Sequence, residues 1–166
     1  MIQINDKGER MNSLVVYSTK SGNSELIANS IAKELDCGIV NLNEVEFEDI
    51  DLNEIDTIFL GSGIYGGSFH RRIIDFGKFL NSNSLNRTIF LKIAFFITWL
   101  GRGKSDLTGI KHFKDILKVQ RVDIEDDYFR CFGESFKFIR KCHPDKNDIE
   151  NVKEWAKKMT VKRNDR

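Results

Sequence analysis

The residues with most chemistry to offer lie in one short stretch, Thr19-Lys20-Ser21-Gly22-Asn23-Ser24. An apolar run, Leu14-Val15-Val16-Tyr17, precedes it, and Leu26, Ile27, Ile31 and Leu35 follow at helical spacing. The stretch therefore reads as a turn from a strand into a helix. Such a turn aims backbone N–H groups and the positive end of a helix dipole at one point. The hydroxyls add donors, and Gly22 lets the backbone approach a ligand closely. A phosphate suits this set. The plainer reading is an ordinary turn in which Asn23 or Ser24 caps the helix. Neither G-x-x-x-x-G-K-S/T nor G-x-G-x-x-G is present, so the turn is of neither of those nucleotide-binding kinds.

Two further stretches follow apolar runs. Gly61-Ser62-Gly63-Ile64-Tyr65-Gly66-Gly67-Ser68 reads as a free backbone loop with one aromatic, Tyr65, able to lie on a planar ligand or to pack on the next helix. Thr98-Trp99-Leu100-Gly101-Arg102-Gly103-Lys104-Ser105 offers a second ring, Trp99, between a strand end and two glycines. His70, Arg71 and Arg72 stand at the expected start of a helix. Cys37, Cys131 and Cys142 have no C-x-x-C spacing, so they suggest neither a zinc site nor a disulfide framework, and reduced thiols of a cytoplasmic protein are expected. Cys131 reads as a small buried residue and His143 as a turn cap.

The elements that must position these stretches alternate. Strands are expected at Leu14–Ser18, Gly38–Leu42, Thr57–Ser62 and Thr88–Thr98. A fifth begins at Val119–Ile124 and continues over Tyr128–Phe132. Helical stripes run over Asn23–Leu35, Arg71–Leu80, Ile110–Leu117 and Asp148–Met159, the last with Asp148 as its cap. Strands alternating with helices predict an α/β fold: a doubly wound, five-stranded parallel sheet of order 2-1-3-4-5 with helices on both faces. Ligands of that architecture sit beyond the carboxyl ends of the strands, where the three stretches fall. With 166 residues, 40% hydrophobic and 31% charged, the chain reads as one domain. Residues 1–12 are expected to be a polar extension without the apolar core of a signal peptide. A net charge of +1 points away from nucleic acid, and the apolar run from Thr88 to Leu100 is too short to insert stably in a membrane.

The turn Thr19–Ser24 resembles the phosphate loop of the flavodoxins, S/T-x-S/T-G-x-S/T. The resemblance extends from about Leu14 to Met159. It implies FMN as the cofactor, with Thr19, Lys20, Ser21, Gly22, Asn23 and Ser24 around its phosphate. It implies that Ile64, Tyr65, Gly66 and Gly67 cover one side of the isoalloxazine, where Tyr65-Gly66 matches an aromatic-glycine pair whose peptide carbonyl can meet the flavin N5 proton. It also implies that Thr98, Trp99, Gly101 and Gly103 cover the other side and edge. That last loop departs from the family's more acidic pattern. Residues Ile64 to His70 are similar also to a segment of the flavodoxin-like protoporphyrinogen oxidases, although their long late insertion has no counterpart between Asp106 and Asp148.

The function so implied is that of an FMN-binding electron carrier, which needs no catalytic acid or base. One rival is an FMN-dependent oxidoreductase of the quinone- or protoporphyrinogen-linked type, using His70 or Arg71 and Arg72 on an acidic substrate. The other is a flavin-free signalling or interaction module on the same fold. Arg71, Arg72, Arg102 and Lys104 are expected to form a basic rim at the flavin edge, in contrast to the acidic stretch from Glu44 to Asp56. The partner expected is thus an acidic redox protein or an anionic small molecule, met by a monomer or weak dimer.

Overall fold

The computed structural model describes residues 12–83, 90–101, 103–118, 121–134 and 142–160. Strand β1 (Ser13–Ser18) enters helix α1 (Asn23–Leu35), followed by β2 (Gly38–Asn41) and a 3₁₀ turn at Phe47–Asp49. Strand β3 (Thr57–Tyr65) folds back as β4 (Ser68–Phe69), and α2 (Arg71–Asn83) follows. Then come β5 (Leu91–Trp99), α3 (Ser105–Ile116), β6 (Val122–Ile124), β7 (Phe129–Phe132) and α4 (Lys146–Thr160). The sheet runs β2-β1-β3-β5-β6 in parallel, which is the expected order. Among the described residues it has seven strands rather than five. The fifth place is shared by β6, against the start of β5, and β7, against its end. The seventh is β4, antiparallel to β3.

Alternate residues of each central strand serve opposite layers. Leu14, Val16, Ile58, Leu60, Ile93, Phe95 and Ile97 pack under α2 and α3 with Ile73, Phe76 and Phe113. Val15, Tyr17, Phe59, Ala94 and Phe96 pack under α1 and α4 with Ile27, Ile31, Trp155 and Met159. Burial on both faces is why these strands read as unbroken apolar runs. Among the described residues, no helix is long and apolar enough to cross a membrane.

Three expectations need correction. The stretch from Gly61 is not a free loop: β3 continues to Tyr65, and the chain reverses through Gly66 and Gly67, at φ of 59° and 81°. Two successive positive φ values define the tight hairpin turn that glycine pairs favour. Gly61 is in the strand because Phe96 lies over it; a Cβ there would come 1.9 Å from Phe96 Cζ. Secondly, neither Asn23 nor Ser24 caps α1. Gly22, left-handed at φ 82°, holds that position without a side-chain hydrogen bond. Thirdly, α4 begins two residues before Asp148. Asp145 and Asp148 exchange side-chain-to-N–H bonds at 2.9 Å, and His143 Nδ1 meets Asp148 Oδ2 at 2.9 Å. The expected starts of strands four and five, Thr88 and Val119, and the extension 1–11 lie outside the described residues.

Candidate functional site

The carboxyl ends of β1, β3 and β5 bring the three stretches to one edge of the sheet. In the first, Thr19 Oγ1 accepts the Gly22 N–H at 3.0 Å and closes the turn. The first helical bond of α1 runs from Leu26 N to Gly22 O, so the N–H groups of Asn23, Ser24 and Glu25 have no partner within the helix. Lys20 and Ser21 are exposed. Asn23 Nδ2 donates to Ser21 Oγ at 3.0 Å and to Glu134 O at 2.8 Å, which ties the turn to the chain after β7. Gly133 makes room for that contact, since a Cβ there would come 2.7 Å from Asn23 Nδ2. Ser24 is the exception in the set. Its hydroxyl is buried against Thr98 Oγ1 at 2.9 Å, so only its backbone N–H remains for a ligand.

Tyr65 folds back from the end of β3 towards this turn. Its ring crosses Gly63, where a Cβ would come 2.7 Å from the phenol oxygen. The oxygen accepts the Lys20 N–H at 3.4 Å, and Lys20 Nζ lies 4.9 Å from the ring centroid. Burial, opposed by that hydrogen bond, pushes the phenol pKa up. Ile64 is half-buried, packed on the α2 and α3 layer. Gly66 and Gly67 form the hairpin turn beside Tyr65.

The third stretch leaves β5 at Trp99. Trp99 is half-buried and packs against the α2 and α3 layer, with the Arg130 guanidinium 5.3 Å from its ring centroid. Gly101 and Gly103 both take positive φ, 73° and 60°. Beyond them the first turn of α3 carries Asp106, a fully buried carboxylate that composition alone did not mark. Its Oδ2 accepts from Arg130 at 2.7 Å and from Tyr128 at 2.9 Å, while Oδ1 has no partner among the described residues. Burial works to raise its pKa, and the bonds from Arg130, Tyr128 and the Leu107 backbone outweigh it and bring the carboxyl below its ordinary value.

The basic rim is only partly where it was expected. Arg72 turns away from this edge: Nε and Nη2 donate to the carbonyls of Leu42 and Val45, both at 2.6 Å, and its guanidinium covers Phe47. Arg71 is exposed and meets Asp75 at 3.6 Å, one helical turn on. Lys104 is exposed beside Gly103, and Arg102 lies outside the described residues. Lys20 and Arg130, which the rim did not include, do face this edge.

His70 is the residue that sequence reasoning left without a place. It ends β4's return and bonds Ser18 Oγ through Nδ1 at 2.6 Å. Burial, and then the charge of Lys20, hold its pKa below the ordinary histidine value. The 52 positions between Ser18 and His70 explain why no local pattern could pair them.

Residues 14–124 match the model of a flavodoxin domain. The chain belongs to the flavodoxin-domain family. It is 32% identical over 156 residues to the uncharacterized protein MJ0298 of Methanocaldococcus jannaschii, a match that covers 90% of this chain and 98% of that one. Its fold is similar to that of the oxidised Flavodoxin 2 from Bacillus cereus, with 21% identity, 87% and 94% of the two chains covered and a TM-score of 0.63. It is similar also to the flavodoxin, WrbA-like protein from Agrobacterium tumefaciens, with 14% identity, 89% and 94% covered and a TM-score of 0.68. A flavoprotein of Lactobacillus acidophilus NCFM, solved in complex with FMN, aligns with 17% identity, 72% and 93% covered and a TM-score of 0.55.

The glycines of the site leave room for a flavin mononucleotide. At Gly22, Gly66 and Gly103 an added Cβ would meet nothing within 4 Å. These glycines come from the three different loops, so all three border open space. An outward-facing helix start whose first N–H groups have no partner within the helix, a ring beside it and open glycine backbone fit a phosphate joined to a planar ring system.

Proposed function

We propose that this protein binds FMN at the carboxyl edge of its sheet and acts as an electron carrier. The observation that carries this reading is the Thr19–Ser24 turn of a flavodoxin-domain chain, with three N–H groups unpaired in α1 and open space over Gly22. FMN, when bound, supplies the redox chemistry, and the chain supplies binding, orientation and electrostatics. The N–H groups of Asn23 to Glu25 would hold the phosphate, helped by the Ser21 hydroxyl. Tyr65 would lie against one side of the ring system, with the Gly66-Gly67 turn beside it. The backbone at Gly101 and Gly103 would meet the polar edge. Trp99, under Arg130 and half-buried, would serve as the wall of the third loop rather than as a free stacking ring.

Lys20 and Lys104 lend this edge positive charge, while that of Arg130 is matched by Asp106. The two lysines favour an acidic redox partner or an anionic small molecule, steered over a Debye length of about 8–10 Å.

Titration of the purified protein with FMN and with riboflavin tests the reading. Hydrogen bonds to a charged group contribute about 1.5–3 kcal/mol each. Losing two of them should weaken riboflavin by a factor of about a hundred or more. Equal affinities for the two flavins would overturn the assignment of the turn.

A further inference from the structure

We infer that His70 belongs to the ligand-binding set: Ser18 holds it through Nδ1, and its Nε2 takes up one solvent proton when a phosphate monoester settles in the Thr19–Ser24 turn. The inference rests on the reading of that turn as the phosphate site.

Hydrogen bonds decide which imidazole nitrogen carries the hydrogen. Asn43 Nδ2 donates to the carbonyl of Thr19 at 3.0 Å. The reverse amide orientation would set two oxygens against each other, so Oδ1 is the atom that faces Ser18. Oδ1 only accepts, and it takes the Ser18 hydroxyl hydrogen at 2.8 Å. A serine hydroxyl has one hydrogen. Ser18 Oγ therefore offers a lone pair to His70 Nδ1, 2.6 Å away, and Nδ1 must be the N–H. In the neutral ring, Nε2 is then a bare lone pair.

The direction of Nε2 follows from what holds the rest of the residue. The His70 backbone N–H donates to Ser62 Oγ at 2.9 Å, and the Ser62 hydroxyl donates to Gly63 O at 2.8 Å. Ser18 and Ser62 are buried, so Nδ1 points into the protein. The ring is half-buried, and its other nitrogen lies on the side away from Ser18. Two residues of the site stand beside it. Tyr65 meets the ring edge-on at 5.8 Å, and Lys20 is close enough to lower the histidine's proton affinity. Ser18, Asn43 and Ser62 are neutral, Arg71 is paired with Asp75, and Arg72 is drawn to Leu42 and Val45. Among the described residues, Lys20 is the charge that acts on His70.

A phosphate dianion in the turn reverses that balance. It offsets Lys20 and adds negative charge beside the ring, which favours the imidazolium. The proton enters at Nε2, leaves the Nδ1–H bond to Ser18 in place and creates a new donor on the ligand's side. The sign of the linkage is fixed. The free protein's His70 titrates below its ordinary value and the complex's above that of the free protein. Affinity rises as pH falls between the two, by up to about tenfold per pH unit, and is level outside that window.

Calorimetric titration of the full chain with FMN between pH 6 and 8, in buffers of different ionisation enthalpy, counts the protons taken up. His70→Asn keeps an N–H for Ser18 and removes Nε2. The FMN phosphate itself titrates near about pH 6 and does so with both proteins, so the difference between them is read. Nitrogen-15 NMR of the wild type reads the tautomer and the His70 titration with and without FMN, and needs no variant to fold. The expected result is an Nδ1–H tautomer, a His70 titration that moves to higher pH with FMN, and greater proton uptake by the wild type. An Nε2–H tautomer, an unmoved titration or equal uptake overturns the inference while FMN binding stands. Failure of the wild type to bind FMN overturns the phosphate site itself, and the inference with it.

Discussion

Ser24 and Thr98 are 74 positions apart in the chain, and their hydroxyl oxygens lie 2.9 Å from each other in a buried contact. The bond fastens the first turn of α1 to the end of β5. It also removes one hydroxyl from the group that the turn could offer a phosphate. Ser24→Ala should therefore cost stability, about 1–2 kcal/mol, by leaving Thr98 Oγ1 buried without its partner. Thr98→Val should cost a similar amount, and the double variant less than the sum of the two. Urea unfolding of the four proteins measures this. A Ser24→Ala protein that keeps its stability and loses FMN affinity would mean that the hydroxyl serves the ligand instead.

Tyr65 makes two separable contributions, a ring over Gly63 and an oxygen on the Lys20 N–H. Tyr65→Ala should weaken FMN binding by about 0.5–1.5 kcal/mol beyond the buried area and leave the bound flavin brighter. Tyr65→Phe keeps the ring and frees the Lys20 N–H, so its affinity should stay within about twofold of the wild type or improve, since the bond it loses is long. Flavin fluorescence during the titration reads both. A dark, tight complex of the alanine variant would show that the ring packs elsewhere.

Gly61 tests why β3 carries glycine at its centre. A Cβ there would come 1.9 Å and 2.1 Å from two Phe96 ring atoms, inside a layer where Phe96 is fully buried. Gly61→Ala should destabilise the protein by about 1–3 kcal/mol or more through overpacking. Adding Phe96→Leu should recover part of that loss, because the smaller side chain vacates the space. The urea midpoints of the single and double variants check it; no recovery would mean that backbone conformation, not the ring, excludes alanine.

Asp106 gives a pH dependence with a defined sign. Its carboxyl titrates below the ordinary value in the folded chain, because the bonds from Arg130 and Tyr128 outweigh the cost of burial. A depressed folded pKa contributes stability that is complete above the unfolded value, about 3.9, and is lost as pH falls through the folded value. Asp106→Asn should thus be less stable than the wild type at pH 7, by about 1–3 kcal/mol given that Arg130 is half exposed. The gap should narrow below about pH 4. Thermal unfolding across pH 3 to 7 measures it, and a gap that is constant with pH would assign the loss to packing.

Much of the fold was legible because its signals are local. Apolar runs at 14–18, 57–62 and 88–98 needed no partner to be read as strands, and the break between Ile124 and Tyr128 was visible as two pieces of one strand place. The hairpin at Tyr65–Ser68 was hidden by its glycines. Gly61 and Gly63 look like loop punctuation, and only the rings of Phe96 and Tyr65 lying over them explain their place in a strand. Within the site, the three loops could be named in advance, since the topology puts strand ends together. The contacts that decide what each side chain is free to do could not. Ser18 with His70, Ser24 with Thr98 and Asp106 with Arg130 join residues from separate elements. Arg72 shows the same limit: nothing beside it in the chain announces the two carbonyls that draw it away from the rim.

The division of the fifth strand place has a consequence for how these molecules treat one another. At one border of the sheet stand β6 and β7, three and four residues long, separated by a break in the ladder. At the other stands β2, with four. An outer strand's unpaired N–H and C=O groups can recruit a strand from another molecule, and the hazard grows with the length of the straight, open row. Among the described residues each of these rows ends after three or four positions. The long apolar strands β3 and β5, whose open rows would be far longer, lie inside that frame, each paired on both sides.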